Sequence, residues 1–224
     1  MTVGRNMQDQ GGRGETSRLE AFSDGVFAIA LTILVLDLRL PPVENVTPSG
    51  LISAVLDLWP SYFAFALSFA TILIMWINHH ARMGLIQRID GLLMFANGLV
   101  LFMVVTLSFP TAVVGQYLTG PAAKGAVFTY AVFVLATSGA WNVFMVAMKP
   151  ERGLLRPTVP ASAIATTRRR VAFGFTVYLI AAGLSLVNAY LGLGLITAMW
   201  GFWGVVAYRA LNEHRAWSTE ATEA

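Results

Sequence analysis

The chain has 224 residues, of which 56% are hydrophobic and 12% charged, whereas soluble chains carry roughly 25% charged residues. Half that share can hardly cover the surface of a water-soluble domain of this length, and the mean hydropathy of +0.65 agrees, so a soluble enzyme and a disordered chain are both excluded. The lack of cysteine removes disulfides, thiolate metal sites and cysteine nucleophiles, three histidines (His79, His80, His214) leave little for a histidine metal site, and a net charge of +3 reads as basic loops beside a membrane rather than nucleic-acid binding.

Six runs are apolar and long enough for a bilayer crossing, which needs about 20 residues as a helix. They are Leu19–Leu40, Tyr62–His80, Gly91–Val114, Gly125–Met148, Val171–Ala189 and Leu191–Ala210. The first exceeds the roughly 7–15-residue apolar core of a cleaved signal peptide, and Pro41 and Pro42 stop it at its far end. Lys and Arg set the orientation. The tails and the second and fourth connections hold 13 of them, six in the fourth alone (Lys149, Arg152, Arg156, Arg168, Arg169, Arg170), and the other side holds 2, Arg39 and Lys124. By the positive-inside rule both termini are cytoplasmic, which requires an even number of spans. The longest cytoplasmic connection, Pro150–Arg170, is either a basic segment on the membrane surface or a plain connection. The expectation is one all-α membrane domain over 1–224, with cytoplasmic tails of about 1–17 and 211–224, no extramembrane domain and no internal repeat.

The first span carries most of the information. Glu20, Ser23 and Asp24 lie in its first turns, where they either cap and polarise a helix start at the interface or join a buried polar network. Gly25, Ala28 and Ala30 permit close helix contacts. Ile29, Ile33 and Leu36 follow at i, i+4 and i+7 on one helix face, and Thr32 is the one hydroxyl in the middle of the span. Such a row is either packing or lipid contact or, if several copies ring an axis, a stack of apolar rings with a hydroxyl ring beside them.

The second span ends in Trp76-Ile-Asn-His-His-Ala-Arg, at the membrane level where the first begins. An Asp24 carboxylate accepting from His79, His80, Asn78 or Trp76 would be satisfied there, and at least one of the two histidines is expected to meet Asp24 or Ser23. Two histidines and an aspartate are also a conceivable metal set, but nothing else in the sequence supports a metal, and none is expected. Asn97, Asn142 and Asn188 read as hydrogen bonds between helices, and Asp90 as an interfacial pair with Arg88. No Thr-Val-Gly-Tyr-Gly filter, voltage-sensor arginine pattern, phosphate-binding glycine loop or H-E-x-x-H or G-x-S-x-G motif occurs.

Arg18-x-x-x-Phe22-Ser23-Asp24, opening the first of six spans and followed by Gly25-Val-Phe-Ala-Ile-Ala-Leu-Thr, resembles the signature of the transmembrane protein 175 family of potassium channels. The span count and the Trp76…His79-His80 end of the second span agree with it. The resemblance implies a bacterial one-unit member assembled as a homotetramer, with the first helices lining a central pore. Ile29 would be the first constriction residue, followed by Ile33 and Leu36, and Thr32 the residue linked to selectivity. Arg18, Phe22, Ser23 and Asp24 would be structural, tied to Trp76 and to His79 or His80. The expected protein is therefore a weakly selective, potassium-permeable channel in the cell membrane, with no cofactor, no nucleic-acid partner and no enzymatic activity. Its rivals are a small secondary transporter, for which Gly98, Gly192 and Gly194 are compatible with helix breaks, and a non-conducting scaffold subunit.

Overall fold

A computed structural model describes the backbone of residues 2–40, 42 and 47–223, and the side chains of 14–40, 42 and 47–209. Among these residues the chain forms eight α-helices: α1 (Thr2–Ile33), α2 (Pro48–Asp57), α3 (Trp59–Met83), α4 (Gly91–Val105), α5 (Ser108–Tyr117), α6 (Ala123–Ala147), α7 (Ala161–Val187) and α8 (Ala189–Glu223). Six stretches are apolar and long enough to cross a bilayer: Gly14–Asp37, Trp59–Met83, Gly91–Tyr117, Ala123–Ala147, Ala161–Val187 and Ala189–Arg209. The fold is thus all-helical with six candidate crossings, as expected. Pro41 falls outside the described residues, Pro42 lies outside any helix, and the chain has already left the helix after Asp37; the side chains of the outer parts of the two tails are not among those described.

The differences from the sequence reading have physical causes. The first span ends its α-helix at Ile33 and continues as a 3-10 turn over Leu34–Asp37. The third span is two helices. Pro110 has no N–H for the carbonyl of Thr106 and its ring crowds that carbonyl, so the ladder is interrupted at Thr106-Leu107 and resumes as α5. The fifth span starts ten residues early, and Arg168–Arg170, expected in a loop, lie inside α7. An additional helix, α2, is started by the Thr47 side chain, which accepts from Gly50 N at 3.1 Å, and by Pro48 in its first turn. Asn188 does not link helices. Its extended backbone separates α7 from α8, and its Oδ1 accepts from Tyr190 N at 2.9 Å, capping α8. Asn142 likewise bonds its own helix, at Ser138 O.

α6 packs against α4, α5, α7 and α8; α3 against α5 and α8; and α1 against α3 and α4. Phe27, Leu67, Leu93, Val100, Tyr130 and Phe144 are sealed in the resulting core. A chain of hydroxyls crosses its middle: Ser68 Oγ lies 2.5 Å from Thr111 Oγ1 and 3.0 Å from Tyr130 Oη. At the end of the bundle where the first span starts, called the near end below, two connections pair as backbone. Gln87 N donates to Leu154 O and Arg156 N to Leu85 O, both at 2.9 Å. The start of the basic Pro150–Arg170 segment is therefore pinned to the 84–90 connection instead of lying free on a surface. Asp90 adds to this pinning. It caps α4 by accepting from Leu93 N at 2.9 Å and pairs with Arg152, not with Arg88 as the sequence suggested. The Leu93 amide and the Arg152 guanidinium hold its carboxyl below the usual carboxylate range.

Candidate functional site

The first helix has two faces. Ser23, Phe27, Ala30 and Leu34 are buried against α3 and α4, a spacing of 4, 3 and 4 residues that keeps one stripe inward. The opposite stripe has no cover among the described residues. Phe22 is 64% exposed, Ile29 58%, Ile33 39% and Leu36 59%, and Arg18, Gly25 and Thr32 are exposed beside them. Leu31 is half-buried against the core. Thr32 Oγ donates to Ile29 O at 2.8 Å, so its proton is used within the helix and an oxygen lone pair faces outward.

The buried stripe is held in place at the near end by a directional hydrogen-bond chain. His79 Nε2 donates to Asn97 Oδ1 at 2.7 Å, Asn97 Nδ2 donates to Ser23 Oγ at 3.0 Å, and Ser23 Oγ donates to Leu19 O at 2.8 Å. Asn97 offers its carbonyl to one neighbour and its amide to the other, which places the histidine proton on Nε2. Phe27, Trp141 and Phe144 surround the His79 ring, with centroids 5.3, 6.1 and 5.9 Å away. Asp24 accepts from Trp76 Nε1 at 2.9 Å, and His80 Nδ1 lies 3.1 Å from Glu20 Oε1.

The first and second spans do meet at this level, with Trp76 on Asp24 as one of the expected partners, but the histidines pair differently. Neither histidine hydrogen-bonds Asp24 or Ser23 directly, although a His80 nitrogen lies within 4.8 Å of an Asp24 oxygen. His79 reaches Ser23 through Asn97, His80 pairs with Glu20, and Trp76 takes Asp24. Asn97 links helices as expected, but nothing in its surroundings in sequence points to His79 or Ser23. Glu20, Asp24 and His80 bring one ligand atom each within 4.8 Å of one another. Within it Trp76 donates to Asp24 and His80 pairs with Glu20.

Six apolar helices with a buried polar clamp at one end and an uncovered apolar stripe on the first helix make this a multi-pass membrane protein. It belongs to the TMEM175 family: residues 18–107 match the family described as endosomal/lysosomal potassium channel TMEM175. The chain is 40% identical over 183 residues to a potassium channel of Chamaesiphon minutus, covering 82% of this chain and 90% of that one. It is also 40% identical over 192 residues to a potassium channel of Streptomyces collinus, covering 84% and 92%. The crystal structure of a lysosomal potassium-selective channel TMEM175 homolog from Chamaesiphon minutus aligns with a TM-score of 0.78 at 37% identity, over 87% of this chain and 99% of that one.

Proposed function

We propose that the chain is a potassium-permeable, weakly selective channel of the cell membrane, assembled as a homotetramer around a pore lined by α1. Ile29, Ile33 and Leu36 form its constriction, and Thr32 presents an oxygen beside them. The observation that carries this reading is that Ile29, Ile33 and Leu36 share the exposed face of α1 with the hydroxyl-bearing Thr32, a polar group that copies of the same face around an axis would cover better than lipid does. The names of the relatives support the permeant ion. In four copies around an axis, the isoleucine side chains exclude water. An ion entering such a ring sheds hydration without carbonyls to replace it, so the ring is a barrier that must wet or widen for conduction. No organic cofactor is needed.

The test uses purified protein in planar bilayers. Ile29→Asn keeps similar bulk and wets the ring, so current should rise and the potassium-over-sodium reversal shift should shrink. Leu31→Asn should change neither and should lower stability. An Ile29→Asn protein with unchanged conductance and reversal potential overturns the pore assignment. Absence of potassium current in every condition would favour a scaffold subunit, and saturable flux far below channel rates a transporter.

A further inference from the structure

Arg82, in the last turn of α3, is 5% exposed. Its Nη1 donates to Asn78 O at 2.5 Å and to Asn78 Oδ1 at 3.0 Å, both on its own helix. Its guanidinium carbon lies 5.2 Å from the centre of the Trp141 ring. Nε is sealed from solvent with no acceptor, and Nη2 has no acceptor among the described residues but is not sealed. No carboxylate pairs with Arg82 among those residues. The neighbouring charge that bears on it is a second cation, Arg170 of α7. An enclosed cation with idle donors and a like-charged neighbour is costly unless an anion completes it.

The space around Arg82 fits such an anion. On one side it borders a cavity between α3, α6, α7 and α8 whose walls include Ile74, Val134, Val171, Trp200 and Trp203. On the other, at the near end, it lines an open-mouthed groove together with Thr167 and Arg170 and the apolar Leu85, Met148 and Ile164. Thr167 Oγ1 donates to Ala163 O at 3.0 Å. Two guanidinium forks in a groove with apolar walls match a phosphate group attached to something apolar. Basic pockets between membrane helices take anionic headgroups for this reason.

We propose that Arg82 and Arg170 bind a phosphate group in the groove between α3, α6, α7 and α8. The apolar walls point to the headgroup phosphate of an anionic phospholipid, and free inorganic phosphate is the other source of the same chemistry. The site lies within one chain, apart from the uncovered stripe of α1, and does not depend on conduction.

The experiment uses the full chain in neutral detergent. Its tryptophan fluorescence is titrated with phosphatidylglycerol carrying brominated acyl chains, and with phosphatidylcholine carrying the same chains. Trp141, Trp200 and Trp203 border Arg82 and the adjoining cavity, so a seated lipid quenches them. Phosphatidylglycerol should quench at about tenfold lower concentration than phosphatidylcholine. Arg170→Gln should bring the two lipids to near parity, and Arg169→Gln, an exposed neighbour on the same helix, should not. Arg82→Gln risks misfolding, so Arg82→Lys, which keeps the charge and loses the fork, is compared with it. It should fold and retain only part of the preference. Competition by inorganic phosphate alone assigns the site to the free ion, and persistence of lipid quenching in excess phosphate assigns it to the lipid. Equal quenching by both lipids in the wild type with no response to phosphate overturns the proposal. So does an unchanged preference in Arg170→Gln.

Discussion

Asn97 decides how the near end is assembled, because among the described residues it is the one side chain that bonds both α3 and α1. Replacing it by leucine keeps its branched shape while leaving the buried His79 Nε2–H with no acceptor, and a stranded buried donor costs about 1–3 kcal/mol. The three aromatic rings around His79 would accept a phenylalanine in its place. Asn97→Leu and His79→Phe should therefore each lower the unfolding midpoint in detergent, and the double variant should recover part of the loss. Strictly additive losses would mean that this bond does not hold the helices together. The pairing illustrates what a sequence leaves out. Ser23 and His79 were both legible as interior polar residues at one membrane level, but the residue joining them sits 18 positions from one and 74 from the other, and no local pattern encodes that distance.

At the scale of elements, long apolar runs made the six crossings legible, since a bilayer demands them. Less legible was whatever the bilayer does not dictate: the short α2, the continuation of α7 through three arginines, and the interruption before Pro110. The α7–α8 corner shows a further constraint. A Cβ on Gly192 would meet Ser185 Cβ at 2.7 Å and the backbone of Ala181 and Ser185 at 2.9 Å, whereas one on Gly194 meets nothing within 4 Å. Both glycines had seemed compatible with broken transporter helices, yet both lie inside α8. Gly192→Ala should force the corner apart at about 1–3 kcal/mol, while Gly194→Ala should be neutral or stabilising by up to about 1 kcal/mol. Thermal midpoints of the two proteins, measured side by side, check this, and equal midpoints would contradict the close approach.

For the whole molecule, the distribution of basic residues is the cue to orientation. With 13 of 15 Lys and Arg on one side, both termini are expected to be cytoplasmic. The near end, with Arg82, Arg88, Arg152 and the Arg168–Arg170 group, would then be the cytoplasmic face. Topology reporters fused after Ala224 and inserted after Lys124 should report opposite compartments, and agreement between them would remove the six-crossing arrangement. Membership of the family was legible because its motif, Arg18 to Asp24, sits in one continuous stretch. The assembly around α1 was not legible in the same way, since one chain shows only that a stripe is uncovered.

The 3-10 turn that ends the first span alters the phase of that stripe. An α-helix turns by about 100° per residue and rises about 1.5 Å, so Ile29 and Ile33 are offset in azimuth by about 40°. A 3-10 turn has about three residues per turn and a rise near 2.0 Å. Ile33 and Leu36, which bound its first revolution, come into angular register about 6 Å apart along the axis, instead of drifting back across the face. Substitution tolerance along α1 should accordingly follow a period near 3.6 as far as Ile33 and a period of about three beyond it, where side chains eclipse rather than spiral.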